Sequence, residues 1–115
     1  MPRTFDEEEL LGRVDNDWDF LGETVEMLSA DAPGLLGAVR RATEGGDAPA
    51  VGRAAHALKG MISNFCAPAA HAAAAEVERI GKGGDLSAAP RALDVLEREL
   101  AALVADLTDF IATRA

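Results

Sequence analysis

Two histidines and one cysteine are the side chains here whose chemistry extends beyond charge and packing. His56 has neighbours that make chemical sense together. Lys59 follows at i+3 and Ser63 at i+7, Arg53 precedes at i−3, and Gly60 stands at i+4. On a helix these positions share a side or lie one turn apart. A neutral imidazole is a nitrogen nucleophile, and an ordinary pKa of about 6.5 leaves much of it neutral near pH 7. A phosphoryl group on its ring nitrogen would need a nearby cation. Lys59 is long enough to supply one, Arg53 adds positive potential, and Ser63 offers a hydroxyl. Gly60 would remove a side chain where an incoming site must close over the ring. The plain alternative is a surface histidine beside a flawed helical turn.

The element that positions this group reads as a helix. At roughly 100° per residue, Val51, Ala55, Leu58, Ile62 and Phe65 fall within about 40° of one line, forming an apolar stripe. His56 lies about 140° from that stripe, Gly60 about 180°, Ser63 about 120°, Gly52 about 100° and Lys59 about 80°. His56 is therefore expected on the outer face. Each interior glycine costs roughly 1 kcal/mol relative to alanine, and the pattern shows no packing need for Gly52 or Gly60.

Around this helix the chain reads as further helices. Thr4-Phe5-Asp6-Glu7 matches a capping box, and a short acidic helix should run through Leu10, Leu11 and Val14. Asp17 caps a second helix with Trp18, Leu21, Val25 and Leu28 inside. The second helix bends at Pro33-Gly34 and continues to about Glu44, before Gly45-Gly46. Asp47 caps the central helix, Pro49 suits its first turn, and the helix runs to about Cys66. Pro68 opens the next, which carries His71 and an alanine-rich run to Ile80, with the glycines from Gly81 to Gly84 as its stop. Asp85 or Ser87 caps a last helix striped by Leu93, Leu96, Leu100, Leu103, Leu107 and Phe110. The expected fold is all-α, an antiparallel up-and-down four-helix bundle with a short additional N-terminal helix, and residues 1–115 form a single domain.

Composition bounds the function. A length of 115 residues allows one core, and 49% hydrophobic with 27% charged residues is ordinary for a globular chain. Aromatics at 4% with no tyrosine favour helices over strands. A net charge of −9 argues against nucleic acid as a partner. A single cysteine forms no internal disulfide, no apolar run approaches ~18 residues, and no signal-peptide pattern opens the chain. A cytoplasmic location without membrane insertion is expected.

Other chemistries lack parts. No Walker-type glycine loop is present. Cys66 and His71 flank a proline break, and each reads more simply as structural. One cysteine and two histidines make no recognisable zinc set, so no metal site is expected. Glu76 and Glu78 are the acidic pair nearest mid-bundle, and a solvated charged face is the better reading for them.

Ala55-His56-Ala57-Leu58-Lys59-Gly60, followed by Ser63-Asn64-Phe65, resembles the signature of histidine-containing phosphotransfer (HPt) domains. The likeness spans almost the whole chain, including the acidic first helix, the proline-containing second helix, Gly46-Asp47 and Val77-Glu78. It implies a four-helix bundle whose exposed histidine takes a phosphoryl group from a receiver-domain aspartyl-phosphate and passes it to another receiver aspartate. By this resemblance His56 is the phosphoacceptor, Lys59 steadies the phosphoryl group and Gly60 provides clearance. Arg53 and Ser63 are binding candidates. The family usually has glycine where Cys66 stands. Glu78 resembles the acidic residue that chemotaxis kinases place beside their phosphohistidine, although anchoring of helix packing is the reading adopted for it. No cofactor of its own is expected, with magnesium on the partner receiver, and no autokinase activity, since no ATP-binding domain is present. Expected partners are response-regulator receiver domains and a hybrid histidine kinase, and the protein is expected to be a monomer. A non-catalytic helical adaptor that binds a receiver or kinase without carrying phosphate is the alternative. The dimerisation helices of a histidine kinase fit neither the helix count nor the length.

Overall fold

The computed structural model describes residues 3–114, and among these every regular element is helical. Five α-helices follow in order: α1 (Glu7–Arg13), α2 (Trp18–Glu44), α3 (Ala48–Ile62), α4 (Pro68–Gly83) and α5 (Ala89–Thr113). A single 3₁₀ turn, Ser63–Phe65, extends α3. Short connections force consecutive long helices to run antiparallel. Helix α2 packs on α3 and α5, and α4 packs on α3 and α5, which closes a four-helix ring.

The apolar stripes meet in the middle. Val51, Ala55, Leu58, Ile62 and Phe65 are all buried, as are the six predicted positions of α5 and Leu21, Val25 and Leu28 of α2. Alanines at 70, 73 and 74 are buried on α4, where small side chains let neighbouring helices approach. Leu10 of α1 and Phe5, just before it, are buried and close one end. There Phe110 meets the Phe5 ring edge-on at 5.2 Å and the Trp18 ring at 5.1 Å.

Caps follow local chemistry with two departures from expectation. The Asp17 and Asp47 carboxylates accept from the backbone N–H groups of Phe20 and Ala50, as the sequence predicts. Helix α1 is capped by Asp6, not Thr4, through a bond from the Glu9 N–H. The Thr4 hydroxyl instead donates to Asp106 of α5, where Arg3 also binds, so a tertiary partner overrides the local box. Neither Asp85 nor Ser87 caps α5, whose N-cap is Ala88; the Asp85 carboxylate accepts from the Ser87 N–H within the loop. Helix α2 runs unbroken through Pro33. Pro33 and Ser29, whose carbonyl loses its donor, are both exposed to solvent.

Cys66 ends the 3₁₀ turn in the left-handed region at φ 55°, ψ 46°, and its carbonyl accepts from the Asp6 N–H at 2.9 Å. This conformation explains why glycine suits the position, since a Cβ there costs roughly 1–2 kcal/mol. Cys66→Gly is expected to leave stability within about 1 kcal/mol, because relieved strain is offset by lost packing and a freer unfolded chain. Cys66→Val should lower it by about 2 kcal/mol, since a β-branched residue fits poorly at positive φ. Urea denaturation of the two variants measures the difference.

The crossing of α3 and α4 overturns one expectation. Gly52 is buried and faces Gly81, which is likewise buried inside α4 and is not the helix stop. A Cβ at Gly81 would lie 2.5 Å from the Gly52 nitrogen, 2.8 Å from its Cα and 3.0 Å from the Ala48 carbonyl oxygen. The packing therefore requires glycine at position 81, whereas a Cβ at Gly52 would make only ordinary contacts at 3.8 Å and beyond. Helix α4 continues through Gly83, and Gly84 supplies the left-handed cap at φ 87°.

Candidate functional site

The glycine contact brings α3 and α4 together one turn from His56. Gly52 precedes His56 by one turn, and Gly81 lies three positions beyond Glu78, so the close crossing faces the Glu78 side chain toward the imidazole. His56 stands on the outer face with its side chain 69% exposed, where the helical wheel placed it. Glu78 is the opposite case. Its side chain is 5% exposed, and it is the buried charged residue of the core.

The Glu78 carboxylate gathers three basic groups. Lys59 Nζ donates to Oε1 at 2.6 Å, Lys82 Nζ to Oε2 at 3.1 Å, and His56 Nδ1 lies 2.8 Å from the same Oε2. Charge-assisted bonds led by Lys59, and helped by Lys82 and His56, outweigh burial and hold the Glu78 pKa down at about 2. The group is therefore an anion near neutral pH, and an ionised carboxylate only accepts hydrogen bonds. Nδ1 must then carry the proton in this bond. The lone pair of the neutral ring is on Nε2, the nitrogen away from Glu78.

The site holds some predicted residues and not others. His56 and Lys59 meet through Glu78. Arg53 is exposed and lines the groove between α3 and α4 with Pro49, His56 and Lys82. Ser63 is turned to local work, donating its hydroxyl to the Gly60 carbonyl at 2.7 Å while its own carbonyl accepts from Arg13. Nothing stands within 4 Å of where a Gly60 side chain would begin, which leaves open space on the His56 side of α3. Glu78 is not part of a solvated face; Glu76 is, paired with Arg79. His71, read as structural, is exposed and lines a cleft with Cys66. Lys82 joins the site although no motif in the sequence marks it. Its spacing of four residues from Glu78 on one helix is the signal that could have found it.

The all-helical bundle thus presents an exposed imidazole beside a lysine, with a buried carboxylate behind the ring. The pattern of the Hpt domain family matches residues 23–106, and the chain belongs to that family. Histidine-containing phosphotransfer protein B (HptB) from Pseudomonas aeruginosa PAO1 has a similar crystal structure, with a TM-score of 0.89 and 23% identity over 100% of both chains. At that identity the likeness speaks for the fold. No curated protein matches the chain. As a family member it is a phosphorelay intermediate carrying a phosphoryl group between receiver domains, and its family works with receiver domains and histidine kinases. Among the described residues, no helix is long and apolar enough to cross a membrane.

Proposed function

We propose that His56 is the phosphoacceptor and that Nε2 is its reacting nitrogen. The observation that carries this reading is the His56 Nδ1 to Glu78 bond at 2.8 Å, which leaves Nε2 unbonded on a ring that is mostly in solvent. The Nε2 lone pair attacks the phosphorus of a receiver aspartyl-phosphate. The P–O bond breaks, and its electron pair leaves on the aspartate carboxylate. The transition state is loose, so positioning and charge supply most of the rate. Lys59 supplies charge from this chain, Gly60 leaves room for the receiver, and Arg53 extends the positive rim. Magnesium in this reading is the receiver's contribution. Met61, half-buried five residues past His56, and the exposed Pro68 are candidate docking contacts for a transient complex with a monomer in the cytoplasm. A hybrid histidine kinase would be a natural donor.

A purified receiver phosphorylated with acetyl phosphate is expected to pass acid-labile label to the wild-type protein. If no receiver loads it, the reading fails. Lys59→Met should slow loading by roughly tenfold or more, the scale of losing one transition-state charge partner. The far-ultraviolet circular dichroism should stay the same, because Lys82 and His56 still satisfy Glu78. An unchanged rate would remove Lys59 from the site.

A further inference from the structure

We propose that the groove between α3 and α4 beside His56 is a phosphoryl-binding site whose movable cation is Lys82, a residue outside the histidine motif. Once His56 is phosphorylated, the Lys82 ammonium leaves Glu78 for the phosphoryl oxygens. Arg53 faces the same oxygens from α3, and Lys59 stays on the carboxylate as a fixed charge. This role rests on the reading of His56 as phosphoacceptor and concerns the product of that step.

The chain has two lysines, Lys59 and Lys82, and both bond Glu78, but they are held differently. Lys59 Nζ sits 2.6 Å from Oε1, and its side chain is 29% exposed. Lys82 Nζ is 3.1 Å from Oε2, and its side chain is 72% exposed. An ion pair so open to water is weak and exchanges readily for another anion. Lys59 is the anchored cation and Lys82 the movable one. Release of Lys82 leaves Glu78 bonded to Lys59 and His56, so the buried carboxylate keeps partners for its charge.

Placement favours Lys82 as well. It meets the same oxygen, Oε2, that His56 Nδ1 meets at 2.8 Å, whereas Lys59 meets the other. Lys82 and Arg53 line the groove together with His56, and Lys59 does not. Gly52 and Gly81 line it too, and neither projects a side chain into the space the oxygens would take. Along α4, Lys82 lies between Gly81 and Gly83, so no adjacent side chain hinders its rotation. A phosphoryl group brings about two negative charges to a chain that already carries −9. Cations arriving from both walls of one groove meet that need, and Glu78, the acidic residue of the lining, is neutralised by the contacts it keeps.

The test loads the full chain from a phosphorylated receiver, as wild type, Lys82→Met and Lys82→Arg. In Lys82→Met the equilibrium constant for phosphoryl on His56 should fall roughly fivefold, and Lys82→Arg, which keeps the charge, should restore most of it. A phosphorus NMR titration of the loaded protein, freed of receiver, reads the groove itself. A cation beside the phosphoryl group favours its dianion, so the second ionisation should come at higher pH in Lys82→Met than in wild type. Identical titrations, or no rescue by arginine, overturn the proposal. A further readout needs no variant. Lysine labelled with carbon-13 at Cε gives two side-chain signals, and loading should move that of Lys82 more than that of Lys59. The reverse order also overturns the proposal. Failure of the wild type to accept label is a separate result, which removes the assignment of His56 and this proposal with it.

Discussion

Gly81→Ala is expected to lower stability by about 2 kcal/mol, and the melting temperature by roughly 8 °C for a chain of this size. The added methyl group would meet the Gly52 nitrogen at 2.5 Å and its Cα at 2.8 Å. Those are backbone atoms of a neighbouring helix, so no rotamer change relieves the contact and α3 and α4 must part. Alanine would by itself favour the helix by about 1 kcal/mol, which makes a net loss the diagnostic sign. Two comparisons fix the cause. Gly52→Ala meets nothing nearer than 3.8 Å and should cost little, and Gly60→Ala meets nothing within 4 Å and should stabilise the bundle. Thermal denaturation of the three variants would read the order directly. Equal effects at all three positions would mean that helix propensity, not the crossing, governs them.

His56→Gln is expected to reduce phosphoryl acceptance by at least ~10³-fold, about 4 kcal/mol, because no other side chain at the site offers a neutral nitrogen lone pair. The substitution is chosen to spare the rest. The glutamine amide can still donate to Glu78, and at a side chain 69% exposed a polar replacement should change stability by no more than about 0.5 kcal/mol. Receiver binding should therefore persist while label transfer disappears. That pairing separates a carrier from an adaptor that binds a receiver without taking phosphate. A variant that still accepts label at the wild-type rate would place the chemistry elsewhere.

How much of this arrangement is legible in the sequence depends on the range of the interactions. The stripe from Val51 to Phe65 is a short-range signal, and so are the Asp17 and Asp47 caps; each appears in the structure where expected. The wheel also places His56 correctly, because it reports direction relative to the helix's own buried line. It cannot report which neighbour lies over a flank. Gly52 and Glu78 sit at the shoulders of their stripes, and each is buried only because the other helix crosses there. Gly81 has the composition of a helix stop, yet it lies within α4, and only a contact 29 residues away in sequence explains it. Thr4 fails as a cap for a similar reason, since Asp106 on α5 competes for its hydroxyl. Lys59 is legible as a partner of His56 by spacing. That the two meet through a shared carboxylate on another helix is visible only in three dimensions.

The central claim is that Nε2 of His56 carries the phosphoryl group. The most direct measurement is a phosphorus–nitrogen NMR correlation on nitrogen-labelled protein loaded by a phosphorylated receiver. A single phosphorus signal coupled to Nε2 of His56 is the expected result. A phosphorus coupled to Nδ1 instead, or attached to His71 or to a carboxylate, would contradict it.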